Sequence, residues 1–295
     1  MPLVELQDGP WEWWDIKDAA DILWRSTLDP DIHNIASALQ SHYQNPQLEV
    51  TELITGINAS RRGIVVCNGE KITIAFLGCD SNELHMNMWV FAKGPSWWDI
   101  PYPVYENGHQ VHSFFRDMWH AMRIAAYDAI NMAVESMAAR GSSPKQIIIT
   151  GFSMGGGISI LAFSEILERI RNRWGSGSDS PQPWAKDENL GSLVQHLTFA
   201  AVSAGDFGYY SALNRLYEKH HIRAWDFFNH RDITVHIHHI QFRTWRGHRY
   251  TLPEAVVRPF SNEFGGQGHN ILGYLKAAEW MCEHGTDQVK SEYRY

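Results

Sequence analysis

Residues 147–160 read Ile-Ile-Ile-Thr-Gly-Phe-Ser-Met-Gly-Gly-Gly-Ile-Ser-Ile, and the reading of the whole chain turns on them. Ile147 to Thr150 is a short apolar run bounded by Pro144 and Gly151, which predicts a strand buried on both faces of a parallel sheet. From Met154 to Arg169 the period changes, with Ile158, Leu161, Ala162 and Ile166 recurring at helical spacing. Between strand and helix lies Gly151-Phe152-Ser153-Met154-Gly155, the G-x-S-x-G pattern in the strand–turn–helix setting that gives it meaning. A serine on so sharp a turn brings strand and helix close together. Side chains two positions before or after it would collide, hence Gly151 and Gly155, while Gly156 and Gly157 let the helix pack tightly. Such a turn presents Ser153 as a nucleophile. The helix N-terminus then aims N–H groups at the place where an oxyanion forms, the amide of Met154 first.

Working outward, strands and helices alternate. Gly63 to Cys67 and Lys71 to Leu77 are β-branched runs separated by a turn at Asn68 and Gly69, the pattern of a hairpin. Val111 to Ala139 carries Phe115, Met118, Met122, Ala126, Ala129 and Met137 at helical spacing. Leu197 to Ala201 and Ile222 to Phe228 read as further strands, and Ile271 to Met281 as a terminal helix. Residues 171–192, dense in Gly, Ser, Pro and charge, read as a surface loop. The alternation predicts an α/β fold with a largely parallel central sheet and helices on both faces. Residues 1–62, which include Trp11, Trp13 and Trp14, are expected to form an N-terminal helical cap packed on a main domain of residues 63–295, the two making one structural unit.

Composition narrows the function. Lys and Arg number 25 against 33 Asp and Glu, a net charge of −8, and no basic cluster stands against that background, so nucleic acid is not expected as a partner. Three cysteines cannot form a disulfide framework and suit a reducing compartment. Met1 to Trp14 shows neither the basic nor the apolar region of a secretion signal, and a cytoplasmic location is expected. The most apolar stretch, residues 147–163, is interrupted by glycines and serines and is too short to span a bilayer.

The order expected with this elbow is Ser, then Asp or Glu, then His, which prunes the 16 histidines. His269, in Gly-Gly-Gln-Gly-His-Asn just before the last helix, sits where a late base belongs. Asp206, Asp226 and Asp232 compete for the acid. Asp226 falls inside a strand; Asp232 follows that strand's end and is favoured by position. Asp206 also follows a strand and could carry the role, but the reading as a helix N-cap or turn residue is preferred for it. His236 and His238, two apart on one strand face, have the spacing of zinc ligands but no accompanying third or fourth ligand, so no metal is expected.

Taken in order, these segments resemble the class 3 (fungal-type, Rhizomucor-like) lipases of the α/β-hydrolase fold. Ile72 to Cys79 is similar to the family's strand ending in Arg-Gly-Thr/Ser. Val111 to Phe115 is similar to its Val-His-x-Gly-Phe, and Ile149 to Gly157 to its elbow. Leu197 to Gly208 resembles its Thr-Phe-Gly-x-Pro-Arg-Val-Gly, Phe227 to Ile237 its Val-Asn-x-x-Asp-x-Val-Pro, and Gly268 to Leu275 its final His segment. The resemblance implies Ser153 as nucleophile, Asp232 as acid and His269 as base. It further implies an oxyanion hole made by the amides of Met154 and Cys79, the latter standing where the family has Thr or Ser. Leu77 replaces the family's Arg, and Ala200 to Ser203 lacks its Pro-Arg pair. A lid is implied over residues 80–98, where Leu84, Met86, Met88 and Trp89 form an apolar cluster; core packing under a loop is the competing reading. The function implied is a serine carboxylester hydrolase, without a cofactor, acting on acylglycerols or related lipid esters and touching a lipid surface transiently. The rivals are a non-catalytic lipid- or protein-binding member of the fold and an acyltransferase using the same triad.

Overall fold

The computed structural model describes residues 10–55, 60–78, 100–101, 110–230, 232, 248–257, 269–285 and 290–291. One eight-stranded sheet runs through them, with β1 (Glu49–Ile54), β2 (Arg61–Asn68), β3 (Lys71–Phe76), β4 (Gln146–Phe152), β5 (Val194–Phe199), β6 (Arg223–Phe228), β7 (Arg249–Thr251) and β8 (Lys290–Ser291) side by side in chain order. From β3 to β7 the pairing is parallel, whereas β1–β2, β2–β3 and β7–β8 are antiparallel. The sheet is therefore mixed, with a parallel centre between antiparallel margins. The expected hairpin is β2–β3, closed by Gly69 at φ 63°, a left-handed conformation that glycine adopts without penalty.

Parallel strands need crossovers, and helices supply them. The main helices are α1 (Pro10–Arg25), α2 (Ile32–His42), α3 (Ser113–Ala139), α4 (Met154–Arg173), α5 (Phe207–His220) and α6 (Ile271–His284), of which α3, α4 and α5 lie in the crossovers from β3 to β6. Strand β4 shows how the sheet is covered twice. Ile147 and Ile149 point into a core shared with α3 and α4 through Phe115, Trp119, Ile158 and Leu161, while Ile148 points into the opposite core with Trp13, Trp225, Phe227 and Leu275. That is the period of two of a strand buried on both sides.

The first sixty residues are not helical throughout, because Glu49–Ile54 joins the sheet as an edge strand. Helix α1 lies along α6 and buries Trp13 against Phe227 with ring centroids 5.4 Å apart, leaving Trp14 outside. Polar side chains fix it to the amino ends of the central strands. Lys71 Nζ donates to Asp15 and Asp18 at 3.1 Å each, and Gln146 and Gln195 donate to Asp15. Residues 171–192 contain two 3-10 turns and a single helical turn, Leu190–Leu193. They are tied back by a two-armed Arg171–Asp187 pair at 3.0 and 3.1 Å, whose hydrogen bonds hold the Asp187 carboxyl down at about 2. Among the described residues no helix is long and apolar enough to cross a membrane.

Candidate active site

Strand β4 ends in the serine turn. Ser153 has φ 58° and ψ −122°, a conformation costly for any residue with a β-carbon, and its backbone is held from three directions. Its N–H donates to the Phe199 carbonyl at 2.9 Å, while its own carbonyl accepts from Val202 N–H at 3.2 Å and Gly157 N–H at 3.3 Å. The glycine requirement read from the sequence has a direct cause. A β-carbon on Gly151 would run into the Gly155 carbonyl, and one on Gly155 into the Phe76 carbonyl and, at 2.6 Å, the Leu77 oxygen.

Above this turn three side chains meet. The Ser153 hydroxyl donates to His269 Nε2 at 2.8 Å, and His269 Nδ1–H donates to Asp232, with 2.9 Å to Oδ1 and 2.8 Å to Oδ2; these distances fit the tautomer carrying its proton on Nδ1. All three residues are buried, Asp232 completely and His269 with 8 % of its surface exposed. His269 lies just before α6, whose N-cap is Asn270, and its ring stacks on Phe152 at 4.7 Å and 24°. Asp232 closes a tight turn just beyond β6, its N–H donating to the Asn229 carbonyl at 2.9 Å.

A fourth side chain, unassigned in the sequence reading, completes the arrangement. Tyr274, on the first turn of α6, donates its hydroxyl to Asp232 Oδ2 at 2.6 Å and accepts from Asn229 N–H at 3.2 Å. Burial, reinforced by the adjacent Asp232 charge, pushes its pKa well above the usual tyrosine range, so it stays a donor. Phe152, a variable position of the elbow pattern, is the floor on which the imidazole rests.

The other sequence candidates fall into place. Met154 is the first residue of α4 and is buried, so its amide belongs to the helix end adjoining Ser153. Gly78 passes close to the nucleophile, since a β-carbon there would stand 3.3 Å from Ser153 Cβ. Cys79, Leu84, Met86, Met88 and Trp89 lie outside the described residues, as do His236 and His238. Asp206 is the N-cap of α5 and accepts from Tyr209 N–H at 2.7 Å. Asp226 is indeed mid-strand, fully buried and paired with Arg249 at 2.8 Å. A second serine–histidine contact, Ser159 Oγ to His196 Nε2 at 3.1 Å, is sealed in the core with both residues at 0 % exposure, and burial holds His196 well below the usual histidine range. No substrate reaches it.

A buried Asp–His–Ser chain on a strand–turn–helix elbow, at the carboxyl end of a central parallel strand, defines a serine hydrolase of the α/β-hydrolase fold. The chain belongs to the class 3 lipase family, whose description, Lipase (class 3), matches residues 80–242, more than half of its length. Among solved structures it is similar to a deletion mutant of the Rhizomucor miehei lipase propeptide complex, with a TM-score of 0.60 at 17 % identity over 91 % of this chain and 77 % of that one. It is also similar to the Rhizomucor miehei triacylglyceride lipase, with a TM-score of 0.57 at 16 % identity over 83 % and 82 % of the two chains. For lipase II from Rhizopus niveus the values are 0.54 and 18 % over 77 % and 74 %. At these identities the likeness is one of fold. A comparison with curated protein sequences finds no match.

Proposed function

We propose that the chain hydrolyses carboxylic esters, acylglycerols or related lipid esters first among them, through an acyl-enzyme on Ser153. The observation that carries this reading is the unbroken hydrogen-bonded chain from Asp232 through His269 to Ser153. In the first half-reaction Ser153 Oγ bonds to the ester carbonyl carbon as its proton passes to His269 Nε2. Asp232, with Tyr274 behind it, holds the imidazolium in place. Charge gathers on the carbonyl oxygen, for which the Met154 amide is one donor and the Cys79 amide, by family resemblance, the other. Collapse breaks the ester C–O bond, and His269 returns its proton to the leaving alcohol. Water, deprotonated by the same imidazole, then bonds to the acyl carbon, and the acyl–serine bond breaks as His269 returns that proton to Ser153 Oγ and the acid is released.

The apolar cluster of Leu84, Met86, Met88 and Trp89 is proposed as the lid that meets acyl chains at a lipid surface. Free thiols at Cys67 and Cys282 support a reducing, cytoplasmic setting. The test is turnover of p-nitrophenyl esters of graded chain length, with product analysis. Ser153→Ala is expected to fold normally and to lose on the order of 10⁶ in kcat; a variant keeping a tenth of the activity would remove Ser153 from the mechanism.

A further inference from the structure

The loop that grips the nucleophile is itself gripped. Residues 199–202 leave β5 and cross behind the elbow, where the Phe199 carbonyl and Val202 N–H take two of the three backbone bonds of Ser153 described above. Between those two residues lies Ala201. Its Cα and β-carbon sit against the elbow helix so closely that a β-carbon on Gly156 would stand 2.7 Å from each. Both polar groups of Ala201 are taken by one buried pair of side chains. Its N–H donates to Asp226 Oδ1 at 3.1 Å, and its carbonyl accepts from Arg249 Nη2 at 3.0 Å. The pair is closed by Arg249 Nε to Asp226 Oδ2 at 2.8 Å, with Thr198 Oγ1 donating to Oδ1 at 2.8 Å. Asp226 and Arg249 are direct cross-strand neighbours on β6 and β7, and the guanidinium also lies 5.3 Å from the Phe228 ring centroid. The two side chains are 0 % and 3 % exposed.

A pair this deep is a poor device for stability alone, since desolvating two charges offsets most of their attraction, and an apolar pair of the same volume often does better. What an apolar pair cannot do is hold an N–H and a carbonyl of the same residue at once. Ser153 needs such a hold, because its left-handed backbone persists only where the surroundings over-determine it.

We propose that Arg249 and Asp226 are positioning residues for the nucleophile: by clamping Ala201 they fix the Phe199 and Val202 bonds that keep Ser153 in its strained conformation. The kinetic side of this inference rests on the hydrolase reading given above; the structural side does not. Arg249→Lys keeps a cation opposite Asp226, but one ammonium replaces a fork that spans Asp226 and the Ala201 carbonyl together.

Two readouts test the clamp in the full chain. Hydrogen exchange of the backbone segments containing Ser153 and Val202 should accelerate at least tenfold in Arg249→Lys, while Ile147 to Ile149 stays protected. On p-nitrophenyl butyrate, kcat should fall by about 10²-fold, the scale of a misplaced reacting group, with KM and the pH profile unchanged because the His269–Asp232 contact is untouched. If Arg249→Lys does not fold, the neutral double variant Asp226→Asn/Arg249→Gln is measured in the same way. A variant with a lower melting temperature but wild-type exchange at Ser153 and Val202 overturns the clamp, whatever its kcat. Accelerated exchange in Arg249→Lys, with a wild-type protein that itself turns over no ester, upholds the clamp and sinks the hydrolase reading instead.

Discussion

Replacing Asp232 by Asn changes neither size nor shape, so His269 should remain stacked on Phe152 and the damage should be confined to protons. In the wild type both carboxylate oxygens receive donors, His269 Nδ1–H and the Tyr274 hydroxyl. An amide offers one acceptor and one donor group, and so has two ways to sit. With its oxygen at the Oδ2 position the amide keeps the Tyr274 proton and turns its NH₂ to His269 Nδ1 from the Oδ1 position, which favours the imidazole carrying its proton on Nε2, facing Ser153, where it is no base. With its oxygen at the Oδ1 position instead, the NH₂ takes the Oδ2 position and faces the Tyr274 oxygen, which already accepts from Asn229 N–H, and the buried tyrosine proton is left without an acceptor. Such an orphan costs about 1–3 kcal/mol, so the unproductive tautomer is favoured by roughly 5- to 150-fold at 1.36 kcal/mol per decade. Adding the lost stabilisation of the imidazolium, Asp232→Asn should lower kcat by about 10⁴, or roughly 5 kcal/mol, with little change in KM. The same reasoning predicts something less usual. Tyr274→Phe removes the proton that biases the amide, so Asp232→Asn/Tyr274→Phe should turn over p-nitrophenyl butyrate about tenfold faster than Asp232→Asn alone. A double variant slower than the single one would refute the tautomer argument, and an Asp232→Asn enzyme keeping a tenth of wild-type kcat would remove Asp232 from the mechanism.

Acid should unfold the protein early. His112 and His248 are buried, and burial lowers both from 6.5 to about 4. The unfolded chain therefore takes up protons first, and about 3 kcal/mol of stability per histidine, fully present above pH 6.5, is lost as pH falls toward 4; a urea midpoint flat from pH 7 to 5 would contradict this. Gly155→Ala should lower the melting temperature and reduce activity, because the added methyl meets the backbone of Phe76 and Leu77 rather than a movable side chain, at a cost of about 1–3 kcal/mol. An Ala variant as stable as wild type would mean that β3 yields. Exchanging Met88 and Trp89 for Ser should depress turnover of long-chain, aggregated esters more than that of short soluble ones, since apolar burial contributes about 25 cal/mol per Å² and only long chains reach a lid. Equal losses on both, with a lower melting temperature, would make these residues packing instead.

What could be read from the chain beforehand divides along a physical line. The elbow was legible because its constraints are local: a buried strand, two glycines excluded from bearing side chains, and a helix begin within ten residues of Ser153. Asp232 and His269 were legible through chain order and their places at element ends, and the structure brings them within hydrogen-bonding distance of one another and of Ser153. Glu49–Ile54 was hidden for the opposite reason. It is an edge strand with only Leu53 fully buried, so its alternation is faint and is lost in the reading of residues 1–62 as one helical cap.

Tyr274 and Arg249 act across the fold and leave no mark in their own neighbourhoods. Tyr274 stands in a helix whose apolar spacing would be the same with Phe, and only the arrival of Asp232, 42 positions earlier in the chain, gives its hydroxyl a task. Asp226 did carry a signal. An aspartate inside a strand buried on both faces cannot remain there as an unpaired charge, so its presence in Arg-Ala-Trp-Asp-Phe-Phe demanded a cation from another strand. Arg249, 23 positions later, answers that demand. The same logic extends to the elbow, since a residue held at φ 58° requires compensating contacts somewhere. Apart from the Gly157 bond, those contacts come from Phe199 and Val202, and the side chains that hold Ala201 between them come from β6 and β7, all too far along the chain for any local pattern to reveal. A serine elbow in a sequence therefore identifies the chemistry, while a charged residue in a strand that should be apolar shows where to look for the groups that keep the elbow rigid.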